Sequence, residues 1–160
     1  MPRLYSLLQG VLLASLLAAC SSEPPAPPPP PPTVLQLHFL GSSELNPSPA
    51  GDPAPVRVRL YELKSANNFS RADFFTLIDK PESLGSDLVA HDELLLRPSE
   101  QKELERTLDE ATKYLAIVVA YRDLDHATWR QVLTVPVQKT SPYDVMVGSH
   151  AVAITPRSAN

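Results

Sequence analysis

The sequence predicts a mainly β protein, a β-sandwich with a short inserted helical element. At least six segments alternate apolar and polar residues or form short runs rich in Val and Ile. Turn-forming residues separate these segments, which is typical of two packed sheets. One segment, residues 68–79, changes instead to the spacing of a helix. The sequence contains no internal repeat.

Residues 1–19 predict a cleaved signal peptide. Arg3 lies near the start, and an apolar run ends in two alanines at Ala19. Gln9 and Gly10 interrupt the apolar character, which leaves a run shorter than the ~20 residues of a transmembrane helix. A buried N-terminal helix is the alternative, but it would have to be followed directly by a proline-rich segment.

Cys20 is the only cysteine and follows the signal peptide directly. Exported proteins that use cysteines for disulfides need them in pairs, so this thiol predicts another chemistry. The stretch resembles a bacterial lipobox, which implies a covalent lipid on Cys20 and cleavage before it. Two or more acyl chains anchor a protein stably. The next residue is Ser21, not the Asp typical of inner-membrane retention, which favours a lipid anchor at the periplasmic face of the outer membrane.

Residues 20–32 predict a stalk between the lipid and the domain. Every residue from Pro24 to Pro32 except Ala26 is proline. Such a run adopts polyproline II at ~3.1 Å per residue, so it reaches roughly 28 Å. A ligand for a proline-binding module is the alternative. Residues 33–160 are then expected to form a single domain.

The domain begins with an alternating strand, residues 33–40. A loop follows over residues 41–55, with four prolines and two glycines. This length is unusual in a compact domain and indicates a functional or disordered loop. Residues 55–64 alternate again, which predicts a strand with one buried and one solvated face. The predicted buried residues are Val56, Val58 and Leu60, and the predicted solvated residues are Arg57, Arg59 and Tyr61.

Residues 68–79 predict one short helix that ends before Pro81. Ser70 can cap its start, and an apolar stripe follows at helical spacing, formed by Phe74, Leu77 and Ile78. Phe74 and Phe75 are the expected contacts between helix and sheet. Residues 86–98 then predict a strand with an irregular middle.

The segment after this strand is ambiguous. Strong helix formers and an apolar repeat favour a helix, the repeat being Leu104, Leu108, Ala111 and Leu115. Three β segments close the chain. Residues 113–121 read as a buried strand, residues 127–138 as another strand, and residues 143–155 as a terminal hairpin around Gly148 and Ser149.

No motif for catalysis, nucleic acid or phosphate binding is found in the sequence. The formal charge is -4, and it becomes -5 when Arg3 is lost with the signal peptide. An acidic domain without a basic run is a poor nucleic-acid binder. The histidines show no metal-binding spacing, and neither a nucleophile elbow nor a glycine-rich loop occurs. His126 beside Asp123 and Asp125 suggests a weak cation site, but a solvated turn is favoured. We therefore predict no enzyme and no cofactor apart from the covalent lipid.

Several segments in order resemble one family. They are the lipobox at Cys20, LNP at residues 45–47, F-x-x-A-D-F-F at 69–75, LLLRP at 94–98 and KYLAIVVAYRDLDHATWR at 113–130. Together they resemble the outer-membrane lipoprotein of the type VI secretion system, the TssJ family, also called SciN or VasD. The resemblance covers nearly the whole mature domain. Ala116 departs from it, since a glycine is expected there.

The resemblance implies a transthyretin-like β-sandwich. It also implies a strand at residues 101–107 and a turn at 109–112, against the helical propensity. Such a protein is not an enzyme. It anchors the trans-envelope complex by binding the periplasmic C-terminal region of the inner-membrane protein TssM, with TssL as an indirect partner.

The resemblance places the partner contact on the first long loop. The expected contact residues are Ser42, Ser43, Glu44, Leu45, Asn46, Pro47, Ser48 and Pro49. Leu45 is expected to supply an apolar contact and Asn46 a hydrogen-bonding group. The alternatives are a merely mobile loop, a ligand-binding or pilotin-like β-sandwich lipoprotein, and a tethered cell-wall hydrolase.

Overall fold

The computed structural model describes residues 26–158. The predicted signal peptide and Cys20 lie outside the described residues. Residues 26–32 of the predicted stalk are exposed and form neither helix nor strand. In the part of the chain that the structure describes, no helix has the length and apolar character needed to cross a membrane.

Two four-stranded sheets form the domain, which confirms the predicted β-sandwich. The strands are β1 (Val34–Gly41), β2 (Val56–Leu63), β3 (Leu88–Leu96), β4 (Gln101–Thr107), β5 (Tyr114–Val119), β6 (Arg130–Thr134), β7 (Thr140–Val147) and β8 (Val152–Pro156). One sheet has the order β4-β1-β7-β8 and the other β3-β2-β5-β6. Neighbouring strands are antiparallel except β1 and β7, which are parallel.

The core lies between the two sheets and follows the alternation of the strands. Leu35, Leu37 and Phe39 of β1 are fully buried, as is Ile117 of β5. Burying one such side chain contributes about 1.5–3 kcal/mol, so a few alternating positions are enough to set which face of each strand points inward. The predicted inward face of β2 is likewise buried.

The other face of β2 is exposed at Arg57, as predicted, and half-buried at Arg59, but the prediction is wrong for Tyr61. Tyr61 has no exposed surface, and its hydroxyl donates a hydrogen bond to the carbonyl oxygen of Leu77 at 2.6 Å. The Phe69 ring lies 5.6 Å away, centroid to centroid. A helical layer covers this part of the second sheet, so a residue that alternation assigned to solvent belongs to a second apolar cluster.

This helical layer contains two α-helices where one was predicted. They are α1 (Asn67–Arg71) and α2 (Phe74–Asp79), and a 3₁₀ helix follows at Pro81–Asp87. Ala72 is extended, and the carboxylate of Asp73 accepts a hydrogen bond from the Thr76 amide at 2.9 Å. The cap is therefore Asp73 and not Ser70, because only Asp73 combines an extended backbone with a donor three residues ahead.

The two phenylalanines that begin α2 have different surroundings. Phe74 is partly buried and meets the Trp129 ring edge-on at 5.5 Å. Phe75 is 66% exposed, so the prediction that it contacts the sheet is wrong. The short α2 presents only one face to the sheet, and Leu77 on that face is fully buried.

Gln101–Thr107 forms β4, as the resemblance implies and against the helical propensity. Two side chains on its inward-leaning face, Lys102 and Arg106, are charged. They hide the alternation of apolar and polar residues that would have predicted a strand. The Lys102 ammonium donates to the Leu95 carbonyl oxygen at 2.6 Å, and Arg106 pairs with Asp92 at 2.6 Å. The expected turn follows, closed by a 2.9 Å hydrogen bond from the Thr112 amide to the Asp109 carbonyl oxygen.

The sandwich has two distinct ends. The stalk end holds Thr33, whose carbonyl oxygen accepts from the Leu108 amide at 2.9 Å and whose hydroxyl accepts from the Gln138 amide at 2.8 Å. The loop end holds the β1–β2 loop and the β7–β8 turn, which confirms the terminal hairpin. Since β1 runs from one end to the other, the stalk and the loop leave the domain in opposite directions.

Candidate partner-binding loop

The loop between β1 and β2, residues 42–55, is fixed where it leaves the sheet. The Ser42 amide donates to the Val147 carbonyl oxygen at 2.9 Å, which ties the loop to the end of β7. The Ser42 carbonyl oxygen accepts from the Ser99 amide at 3.1 Å, which ties it to the β3–β4 turn. These bonds place the start of the loop between two neighbouring connections.

Leu45 and Asn46 belong to the fold and not to the exposed surface. Leu45 is fully buried in the main core, and Asn46 is 4% exposed. The Asn46 amide nitrogen donates to the Pro55 carbonyl oxygen at 3.1 Å, and its side-chain oxygen accepts from the Arg122 amide at 2.8 Å. The expectation that these two side chains face a partner is therefore corrected. The loop folds back, so that the leucine fills the open end of the sandwich.

The tip of the loop is a compact turn organised by Ser48. Its amide donates to the Asp52 carbonyl oxygen at 2.8 Å, and its carbonyl oxygen accepts from the Gly51 amide at 2.8 Å. Its hydroxyl accepts from the amides of Ala50 and Asp52, both at 3.2 Å. Gly51 has a φ of 91°, which a residue with a side chain rarely adopts. The loop is thus hydrogen-bonded along much of its length.

Two stretches of the loop remain open to solvent. Ser43 and Glu44 are exposed, and so are residues 49–53. Of the other predicted contact residues, Ser42, Pro47 and Ser48 are half-buried. The surface that the loop offers is therefore narrower than the predicted set.

The segment between β5 and β6 supports the loop through the hydrogen bond from the Arg122 amide to Asn46. The sequence did not reveal this contact. Tyr121 is buried there, and burial raises the pKa of its hydroxyl.

His126 hydrogen-bonds Asp123 at 2.8 Å; this bond lowers the pKa of Asp123 and raises the pKa of His126. His126 is exposed, as expected for a solvated turn. Within residues 26–158, no group of three or more His, Cys, Asp or Glu side chains is placed to hold a metal ion.

The described domain is a β-sandwich that presents an ordered, proline-rich loop at one end and receives its N-terminal segment at the other. The two packed four-stranded sheets define the class of the domain as a β-sandwich. The chain belongs to the type VI secretion lipoprotein family, the T6SS-SciN family of VasD, EvfM and TssJ, whose family model matches residues 33–150.

Similarity to solved structures agrees with this family assignment. The chain is similar to the T6SS lipoprotein TssJ1 from Pseudomonas aeruginosa, with 53% identity, a TM-score of 0.80, and coverage of 81% of this chain and 100% of that one. It is similar to a chain in a type VI membrane complex, with 28% identity, a TM-score of 0.69 and coverage of 78% and 98%. No curated protein matches the chain.

A third similar chain is found in a structure described as the T6SS protein TssM C-terminal domain from EAEC. Its identity is 26% and its TM-score 0.67, with coverage of 78% of this chain and 99% of that one.

Proposed function

We propose that this protein is a non-enzymatic lipoprotein at the periplasmic face of the outer membrane. It ties the type VI secretion membrane complex to that membrane by binding the periplasmic C-terminal region of a TssM-like inner-membrane protein, with TssL as an indirect partner. Family membership supports the proposal, as does similarity to chains from a type VI membrane complex and from a TssM C-terminal domain structure.

The observation that carries the proposal is the placement of the loop opposite the stalk. A lipid on Cys20 places the stalk end towards the membrane, so the loop end faces the periplasm. The exposed residues of the loop rest on a hydrogen-bonded base formed by Ser42, Asn46 and Ser48. A loop that is ordered before binding loses less conformational entropy on association, which favours affinity.

The loop contact is tested with a surface variant and not with a deletion. Deleting residues 42–50 would remove Leu45 from the core, so lost binding could not be told from lost folding. The double variant Ser43→Arg, Glu44→Arg changes only exposed side chains. We expect it to weaken binding to the purified periplasmic region of the TssM-like partner at least tenfold, measured by titration calorimetry, because bulky charges replace a fitted surface.

Glu82→Arg is the matched control, since Glu82 is exposed in the 3₁₀ helix away from the loop. It should bind as the wild type does. Both variants should keep the wild-type unfolding temperature. An unchanged affinity of the double variant would contradict the loop contact.

The lipid anchor is tested by membrane fractionation. Cys20→Ser should move the protein from the outer-membrane fraction to the soluble periplasm, because no acyl chain is then attached. A variant that remains with the membrane would refute the anchor.

A further inference from the structure

A groove of about 570 Å³ lies between the α1–α2 junction and the β5–β6 segment. Aromatic rings line it in a continuous row. The Phe74 ring meets Phe75 at 5.4 Å and Trp129 at 5.5 Å, both edge-on. Phe75 is 66% exposed. A large apolar ring is therefore held at the open side of a concave surface, which is typical of a binding site.

The wall of this groove is fixed before anything binds. The Arg130 guanidinium lies over the Trp129 ring, 4.7 Å from its centroid. The same side chain donates to the carbonyl oxygens of Ala72 at 2.9 Å and Phe69 at 3.3 Å. These bonds join the sheet to the extended residue between the two helices, so the groove keeps its shape.

Three arginines and three aspartates line the groove, so their formal charges cancel. Asp73 is engaged as the cap of α2, and Asp123 is engaged by His126. Arg71 and Arg122 are exposed, and neither side chain forms an ion pair or hydrogen bond with a described residue. Only Asp125 is a similarly unengaged acid in the lining. Arg71 and Arg122 are therefore the two cations of the lining that a carboxylate of a bound chain can pair with.

The groove is continuous with the β1–β2 loop. The Arg122 amide donates to the side-chain oxygen of Asn46 at 2.8 Å, so the β5–β6 segment that lines the groove also holds the base of the loop. One segment therefore contacts both the loop and the groove.

We propose that this groove is a second contact area for the polypeptide that binds the loop. It takes a segment that places an apolar side chain against Phe75, next to an acidic side chain that pairs with Arg71 or Arg122. This inference rests on the proposed function and adds the chemistry of the partner segment: apolar and acidic.

Two single variants of the protein test the groove. Phe75→Ala removes the exposed ring, and Arg122→Glu reverses a charge while keeping the backbone bond to Asn46. Each should weaken binding to the purified periplasmic region of the TssM-like partner about tenfold, as expected for an aromatic or arginine contact at an interface. Added salt should weaken wild-type binding more than binding by Arg122→Glu. Both variants should unfold at the wild-type temperature.

Val137→Ala is the matched control, because Val137 is 60% exposed and lies at the stalk end. It should bind as the wild type does. Wild-type affinity of Phe75→Ala and Arg122→Glu, with binding lost in the Ser43→Arg, Glu44→Arg variant, would overturn the groove and leave the proposed function standing. A wild-type protein that does not bind the partner would overturn both.

Discussion

Asn46 is the residue on which the geometry of the loop most depends. Its φ of 47° lies in the left-handed region, which asparagine tolerates better than most residues. Its side chain joins two backbone groups, at Pro55 and Arg122. One buried amide thus holds the turn of the loop, its return to β2 and the neighbouring segment.

We predict that Asn46→Ala lowers the free energy of unfolding by about 1–3 kcal/mol, because a buried donor and acceptor lose their partner. Urea unfolding measures this change. Asn46→Gly also lacks both hydrogen bonds, but it adopts the positive φ without strain. The difference in stability between Asn46→Gly and Asn46→Ala therefore measures the contribution of the backbone conformation. The exposed Ser43→Ala should unfold as the wild type does. Equal stability of Asn46→Ala and the wild type would contradict this role.

At this scale the sequence located the loop but not the direction of its side chains. The LNP motif and the prolines indicated a long connection at residues 41–55. The hydrogen bond from the Arg122 amide to Asn46 joins positions 76 residues apart, and Leu45 packs into a core formed by strands of both sheets. No local pattern contains such a contact, so the two buried residues looked the same as their exposed neighbours.

Among the elements, hydrophobic alternation predicted most strands, and it failed where charges or a third layer intervene. The alternation of β4 was hidden because Lys102 and Arg106, on its inward-leaning face, have partners on strands of the other sheet. Tyr61 was assigned to solvent because the pattern of β2 does not show the helices that cover it. The break between α1 and α2 was missed because Asp73 fits a helical pattern as well as a cap.

The junction of β1 with the loop requires a glycine. A Cβ at Gly41 would lie 2.6 Å from the Arg97 carbonyl oxygen, a backbone atom of the β3–β4 turn. We predict that Gly41→Ala lowers the free energy of unfolding by about 1–3 kcal/mol, as for an overpacked site. Gly148→Ala is the matched control, because its Cβ would lie 3.3 Å from the nearest such oxygen. Urea unfolding of both variants checks this, and equal losses would contradict the steric explanation.

At the scale of the whole molecule, one strand connects the two ends. β1 receives the stalk at Thr33 and passes directly into the loop at Ser42. It lies in the middle of its sheet, paired with β4 from Val34 to Leu40 and with β7 along its whole length. The sequence predicted both ends of this strand but not its neighbours, because strand order depends on contacts far apart in the chain.

This central position has a mechanical consequence. If the membrane holds the stalk and a partner pulls on the loop, the force runs along β1 and loads its hydrogen bonds to β4 and β7 in shear, so that many must break together. Pulling on residue 158 instead loads β8 from its end at Pro156, where its bonds to β7 open one after another.

We predict a higher unfolding force between the stalk and a Glu44→Cys handle than between the stalk and a Ser158→Cys handle. Single-molecule force spectroscopy measures both, and equal forces would contradict the prediction. The predicted difference in force would mean that the domain resists tension between its stalk and its loop better than tension between its stalk and its C-terminal strand.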